Sequence, residues 1–238
     1  MKFKAKLTKD AIEDNSSSAG ASKYMNKSGV YDAVIKFASV STSAKGAEQI
    51  VFNFDLDGVS QTIYGPYVTN TDGKENTIGA NLIRKLAVIA GMGEDDDFTL
   101  EDEEHPVGKE QTLKEFSVIT DFTELPVKVR VQEEYSLWEG NIRKNMVIKS
   151  FFSEEGASAS EIADGTEVGK RLALETEKYA SHVTYKNDLT EEDVKEWVKA
   201  QMDAKKGDSG EGDSPKAAKT APKATKAAPK LLFGKKAV

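Results

Sequence analysis

The sequence contains no cysteine and only two histidines, His105 and His182. Disulfide bonds, thiolate nucleophiles and thiolate-bound zinc are therefore excluded, and two isolated histidines do not provide the usual zinc ligand set. A chain without cysteine suits the reducing cytoplasm, which is the expected location. The longest apolar patch, residues 82–92, is interrupted by two basic residues, and the first residues hold no apolar run of signal-peptide length. We therefore expect no association with a membrane.

The common sequence motifs of catalysis are also missing, since neither a G-x-S-x-G nucleophile elbow nor a P-loop occurs. Asp55-x-Asp57-Gly58 resembles the start of a calcium loop, but the later ligands are absent and a hairpin turn explains it better. The acidic run at residues 94–97 offers carboxylates for a metal-dependent nuclease. Consecutive acids are more typical of a solvated or DNA-repelling loop. The sequence predicts a binding protein rather than an enzyme, with no cofactor and no metal.

The net charge of −7 is unevenly distributed along the chain. Residues 94–104 carry eight acids and no base, and residues 153–204 carry thirteen acids and six bases. Residues 205–238 carry nine lysines and three acids, while the remaining residues hold 18 bases and 16 acids. Outside these three segments, at residues 1–93 and 105–152, the chain is thus close to neutral. A basic binding face is compatible with an acidic protein of this kind.

Residues 50–64 contain the clearest β-hairpin signal. Apolar side chains alternate along the first strand, and the following Asp57-Gly58 pair favours a type I′ turn. This turn places Val51 opposite Tyr64, on the face away from the buried phenylalanines. Tyr64 is therefore an aromatic residue on the polar face, where a base could stack on it.

The other predicted elements complete a small β-rich domain. Helical spacing of apolar residues predicts a helix at 78–90, followed by Gly91 as its C-terminal glycine, and residues 94–104 are predicted to be an acidic loop. The order of three strands, a helix and two strands is that of an OB-fold, so we predict a mainly β, five-stranded OB-type barrel with its helix between strands 3 and 4. Another small antiparallel α+β domain is the alternative. The predicted strands are residues 30–40, 50–56, 59–64, 125–132 and 142–152.

Composition divides the chain into four predicted parts. They are a partly flexible N-terminal arm at 1–27, the OB domain at 28–152, an acidic helical extension at 153–204 and a disordered Lys/Ala/Pro-rich tail at 205–238. Within the extension, helices are predicted at 167–179 and after Thr190, where Thr190-Glu-Glu-Asp resembles a capping box. These helices are expected to pack on the barrel or to support a homodimer.

Aromatic and basic residues on the two predicted hairpins indicate a nucleic-acid interface. OB-folds bind strands of nucleic acid across strands 2 and 3 and between two flanking loops. Aromatic platforms beside cations suit sequence-tolerant binding of single strands, because bases stack and phosphates are neutralised. The alternatives are that the aromatics cover the barrel end and that the cations form an ordinary solvated face. The predicted binding residues are Tyr64 and Tyr67, the cations Lys128, Arg130, Arg143 and Lys144, and Tyr135 and Trp138 near the tip of a loop.

The stretches GVYDAVIKFASV and LPVKVRVQEEYSLWEGNIRKNMVIKSFF carry a family resemblance. Over residues 28–152 the chain resembles the phage-encoded single-stranded-DNA-binding proteins. The resemblance implies an OB core that coats single-stranded DNA without strong sequence preference. It also implies a role in phage DNA replication and recombination, recruitment of protein partners, and a location in the cytoplasm of an infected bacterium.

The C-terminal tail departs from that family, in which many members end in an acidic tail tipped by phenylalanine. Here residues 214–238 hold seven lysines and no acid. An apolar triplet within this basic segment predicts an anchor for a replication, recombination or transcription protein. The alternative function is therefore a phage regulatory protein, a transcription cofactor that recruits a host or phage partner through the tail. The predicted partner-binding residues are Leu231, Leu232, Phe233, Lys235 and Lys236.

Overall fold

The computed structural model of the chain describes residues 24–108, 110–179 and 181–207, and in these ranges the fold is mainly β. Eight strands form one largely antiparallel open sheet, and a few helices accompany it. The strands are β1 (Gly29–Thr42), β2 (Glu48–Leu56), β3 (Val59–Tyr67), β4 (Leu100–Val107), β5 (Thr112–Ile119), β6 (Leu125–Trp138), β7 (Asn141–Ser153) and β8 (Val183–Tyr185). The α-helices are α1 (Thr77–Ile89), α2 (Ala159–Asp164), α3 (Lys170–Tyr179) and α4 (Glu191–Gly207), and a 3-10 turn covers Thr120–Phe122.

The predicted hairpin forms β2 and β3 in the predicted register. Val51 lies opposite Tyr64. The φ angles of 52° at Asp57 and 81° at Gly58 are both positive, as a type I′ turn requires. The turn chemistry and the alternation of apolar side chains therefore fixed this pairing locally.

Helix α1 confirms the predicted helix to within one residue at each end. The Asn76 side chain accepts a hydrogen bond from the Gly79 backbone N–H at 3.2 Å and so caps the first turn. At the other end Gly91 has a φ of 83°, and the Met92 N–H donates to the Ala87 carbonyl at 3.0 Å. This combination is the Schellman motif, for which glycine is the favoured residue.

The strands do not close into the predicted barrel. Pairing follows the order β3-β2-β1-β5-β4, while β6 pairs with the first half of β1 and carries β7 and β8. One edge of β1 serves two partners, because Gly29–Ile35 pairs with β6 and Ser39–Val40 pairs with β5. Strands β3 and β7 lie close to each other, yet within the described ranges no ladder joins them. We call the open gap between β3 and β7 the seam.

The predicted acidic loop at residues 94–104 is wrong in its second half. From Leu100 the chain forms β4, which pairs with β5 over its whole length. Acidic residues have low strand propensity, so only the pairing with β5 makes this segment a strand. In the described sheet β4 is an edge strand, and charges on an edge strand discourage pairing with other chains.

The aromatic loop predicted beyond residue 132 is also wrong. Strands β6 and β7 continue as a two-stranded ribbon up to a turn at Glu139 and Gly140, whose φ angles are 50° and 77°. Tyr135 and Trp138 therefore lie on a strand. Their directions are set by the alternation of side chains along that strand.

The core extends beyond residues 28–152 at both ends. Met25 is fully buried in the main apolar cluster, together with side chains such as Phe52 and Phe54. Val194 on α4 is also buried. The capping box predicted at Thr190 is confirmed, since the Thr190 hydroxyl and the Asp193 carboxylate each accept from the other residue's backbone N–H. No helix in the described part of the chain is both long and apolar enough to cross a bilayer.

Candidate nucleic-acid interface

A groove with a volume of about 670 Å³ runs along the seam. One wall is the second half of β3, and the other is the first half of β7 with the residue that follows β8. The lining residues that carry aromatic, basic or amide groups are Tyr64, Tyr67, Gln49, Gln61, Lys144, Asn145 and Lys186. The groove is therefore built by segments that are far apart in sequence.

Two tyrosines stand on the β3 wall. Tyr64 is 67% exposed and Tyr67 is 43% exposed, so both side chains reach solvent. Between them, Gly65 lies against the core. A Cβ atom at Gly65 would lie 2.7 Å from the Phe52 ring and 2.8 Å from the Ile50 carbonyl oxygen. The missing side chain lets β3 pack closely while the flanking tyrosines remain outside.

The β7 wall contributes Lys144. Its ammonium lies 2.7 Å from the Glu133 carboxylate and donates to the Asn26 carbonyl at 2.6 Å. Burial alone would raise the pKa of Glu133, but hydrogen bonds and the charge of Lys144 lower it overall. Glu133 therefore stays ionised and holds Lys144 in place. The neighbouring Asn145 is exposed and also lines the groove.

Lys186 is a groove residue that sequence reasoning missed. Strand β8 pairs in parallel with β6 at Glu133–Tyr135, and the Lys186 N–H then donates to the Tyr135 carbonyl at 2.8 Å. The Lys186 ammonium lies 2.8 Å from the Glu134 carboxylate. The short run Val183–Tyr185, β-branched and aromatic, was the available signal for a strand. Nothing local indicated that this strand would join β6.

A second cavity of about 460 Å³ adjoins the groove, and Tyr67 lines both. It lies beside the turn between β1 and β2, where Lys45 is exposed. Asn70 and the helix-capping Asn76 line its other side. Tyr67 therefore lies between the groove and this second cavity.

The tip of the β6–β7 ribbon carries a further aromatic–cation pair. The Arg143 guanidinium lies over the Trp138 ring, 5.3 Å from its centroid. Trp138 is 54% exposed. Because side chains alternate along a strand, Arg143 faces the same side of the ribbon as the groove residue Asn145. Lys144 faces the other side, and neither Trp138 nor Arg143 is among the groove-lining residues.

The structure removes two predicted binding residues from the accessible surface. Arg130 faces away from the buried valines, as predicted, but its guanidinium is buried against Glu175 of α3. Tyr135 is buried against the rings of Tyr185 and Trp197. Burial and then the nearby Glu133 charge raise the pKa of Tyr135 to about 12. Neither side chain can contact a strand in the groove, because C-terminal segments cover both.

The other predicted residues fall into three groups. Tyr64, Tyr67 and Lys144 meet in the groove, and Trp138 and Arg143 lie at the ribbon tip. Lys128 lies outside the groove and pairs with Asp32 of β1. The predicted partner-binding residues of the tail, Leu231, Leu232, Phe233, Lys235 and Lys236, lie outside the described residues.

Among the residues that the structure describes, no group of three or more His, Cys, Asp or Glu side chains is arranged to hold a metal ion. No protein-family model matches the chain, and no curated protein matches it.

Proposed function

We propose that this chain binds single-stranded DNA along the groove, without strong sequence preference. The observation that supports this most directly is that two exposed tyrosines, Tyr64 and Tyr67, stand across the seam from two lysines, Lys144 and Lys186. Exposed rings stack on unpaired bases of any identity, and each stacked base contributes about 1–3 kcal/mol. The lysines supply charge for the phosphates. A duplex offers no free base faces, so the same wall favours single strands.

The lysines in the groove already have acidic partners, and this limits their electrostatic contribution to DNA binding. Lys144 pairs with Glu133, and Lys186 pairs with Glu134. Bound phosphates would share these cations rather than gain free ones. Arg143 forms no ion pair among the described residues, and its guanidinium lies over the Trp138 ring. We expect stacking to carry most of the affinity and Arg143 to add the largest single salt-dependent contribution.

The acidic residues of β4 lie away from the groove, whereas Glu134 lines it and pairs with Lys186. Strand β4, with four consecutive acids at residues 101–104, lies four strands from β3 in the order β3-β2-β1-β5-β4. Neighbouring strands are about 4.8 Å apart, which gives a separation of roughly 19 Å. The Debye length is about 8 Å at physiological salt, so repulsion of DNA by these acids is largely screened. A net negative charge is thus compatible with DNA binding.

The proposal includes an OB-type architecture. Its support is the path β3-β2-β1-β6-β7, with α1 directly after β3, the third of these strands in chain order; the β4–β5 hairpin is then an insertion. OB-folds are five-stranded and partly open, and they bind strands on the face that contains β3 here. With the resemblance to phage single-stranded-DNA-binding proteins, we further propose that the chain coats DNA during phage replication and recombination in an infected bacterium. Its C-terminal tail would recruit a protein partner.

The test is a fluorescence-anisotropy titration of labelled oligo(dT) with the full chain at several salt concentrations. We expect saturable binding whose log K falls linearly with log salt, with a shallow slope of about one or two because few cations are free. A duplex of equal length should bind much more weakly. Equal affinity for duplex, or no binding to oligo(dT), would overturn the proposal. Tighter binding to oligo(U) would move the assignment to RNA.

A further inference from the structure

Residues 24–28 cross the seam and connect its two walls; we call this segment the strap. Met25 is fully buried in the core at the centre of the strap. Its backbone N–H donates to Gln61 Oε1 at 2.7 Å, and Gln61 Nε2 donates to the Met25 carbonyl at 3.3 Å. On the edge of β3 that faces the seam, these two side-chain hydrogen bonds stand in for the backbone hydrogen bonds of a paired strand.

The other end of the strap is held by β6, β7 and the chain before β8. Lys144 of β7 donates to the Asn26 carbonyl at 2.6 Å. The Ser28 hydroxyl donates to the His182 carbonyl at 2.6 Å and accepts from the Glu133 N–H at 2.9 Å. The strap is therefore joined to both sides of the seam.

The residues that hold the strap also line the groove. Gln61 and Lys144 are both lining residues, on opposite walls, whereas no strap residue is among the lining residues. The strap is thus placed to set the separation of the walls without occupying the space between them. The anchors Met25 and Ser28 can be changed without altering a groove residue.

We infer that the strap is a positioning segment for the groove: it fixes β3 and β7 relative to each other, and so aligns Tyr64 and Tyr67 with the lysines of the opposite wall. This inference rests on the proposed function. Within the described part of the chain, β3 and β7 are edge strands, each with a ladder on one side only. Edges without partners fluctuate, and a strand of DNA would then have to order the walls as it binds. Because the strap orders the walls before DNA binds, the entropy lost in ordering them does not weaken binding.

The experiment uses the full chain with the paired substitutions Met25→Ala and Ser28→Ala. We expect affinity for oligo(dT) to fall about tenfold, as for the loss of one stacked base. Hydrogen exchange should accelerate at residues 61–67 and 144–147, the two walls. Ser28→Thr, which keeps the hydroxyl, should retain wild-type affinity.

A matched control separates positioning from general destabilisation. Val118→Ala truncates a fully buried side chain of β5, which is three strands from β3 in the sheet order and does not line the groove. It should lower the melting temperature without changing affinity measured well below that temperature. If the paired variant does not fold, Ser28→Ala alone is used, and a smaller loss of affinity in the same direction is expected.

The inference about the strap and the proposed function are contradicted by different results. If the walls exchange faster but affinity is unchanged, or if Val118→Ala weakens binding equally, the strap does not position the groove. If the wild-type chain does not bind oligo(dT), the proposed function itself fails; if neither Tyr64→Ala nor Tyr67→Ala weakens binding, the DNA path lies outside the groove. The wild-type and Tyr64→Ala titrations are therefore measured first.

Discussion

The Arg130 guanidinium lies 2.7 Å from the Glu175 carboxylate, and both side chains are buried between the sheet and α3. Ser150 and Arg171 also donate to this carboxylate, at 2.6 Å and 2.8 Å. Burial alone would raise the pKa of Glu175, but these donors and charges lower it overall. Glu175 is the one buried residue of α3. A polar network, rather than an apolar face, therefore attaches this helix.

Glu175→Ala should lower the free energy of unfolding by about 3–5 kcal/mol, because it leaves the buried Arg130 charge without its partner. Chemical denaturation followed by circular dichroism measures this. Glu167→Ala is the control, because Glu167 and its ion-pair partner Lys170 are both exposed. We expect this variant to lose less than about 1 kcal/mol of unfolding free energy. Equal losses in the two variants would show that Arg130 is solvated in the folded chain.

Tyr64→Ala and Tyr67→Ala should each weaken binding of oligo(dT) by about 1–3 kcal/mol, because each removes an exposed ring on which a base stacks. Their melting temperatures should remain near that of the wild type. Tyr135→Ala should do the reverse: its ring is buried, so stability falls while the folded fraction binds normally. Binding unaffected by both Tyr64 and Tyr67 substitutions would place the DNA path elsewhere.

Arg143→Gln should reduce the slope of log K against log salt by about one, because it removes one cation available to phosphate. Trp138 and the rest of the ribbon remain in place, so stability should change little. Lys36→Gln serves as the comparison, since Lys36 pairs with Glu124 and is not among the groove-lining residues. An identical slope in wild type and Arg143→Gln would exclude the ribbon tip from the interface.

Gly79→Ala should destabilise the chain by about 1–3 kcal/mol through overpacking, although alanine favours helices by about 1 kcal/mol over glycine. A Cβ atom at Gly79 would lie 1.9 Å from the Tyr67 carbonyl oxygen, so α1 and the end of β3 must separate. Thermal melting measures the loss, and binding should weaken because Tyr67 moves. Ile78→Ala, at an exposed neighbouring position, should change stability by less than about 0.5 kcal/mol. A stabilised Gly79→Ala variant would contradict the close contact.

Glu48→Gln should stabilise the chain at neutral pH by about 1 kcal/mol. Burial raises the pKa of Glu48, and its Oε2 has no hydrogen-bond partner among the described residues. Between the ordinary carboxyl pKa and this raised value the folded state binds more protons, so wild-type stability falls as pH rises through that interval. The glutamine does not titrate. Denaturation at a series of pH values should show the unfolding free energies of the two proteins converging below the ordinary carboxyl pKa. A difference in stability that stays constant with pH would show that the charge of Glu48 is not its cause.

The elements determined by the sequence itself are those whose causes lie within a few residues. Asp57-Gly58 favours a turn with two positive φ angles, and that turn sets the register that places Tyr64 on the outer face. Asn76 and Gly91 satisfy the backbone groups at the two ends of α1, so its limits follow from neighbouring residues. Alternation along β6 likewise shows that Arg130 faces away from the valines.

Tertiary structure alone decided what covers each of these faces. Alternation places Arg130 and Tyr135 on a strand surface, but whether that surface meets solvent depends on α3 and β8, which follow about 40 to 50 residues later in the chain. The acidic residues of β4 became a strand because β5 pairs with them, against their own low propensity. Lys186 entered the groove because β8 joined β6, and Met25 entered the core because the strap is hydrogen-bonded to Gln61 of β3 and to Lys144 of β7. Such outcomes depend on contacts between distant segments, which local patterns of hydrophobicity and charge do not encode.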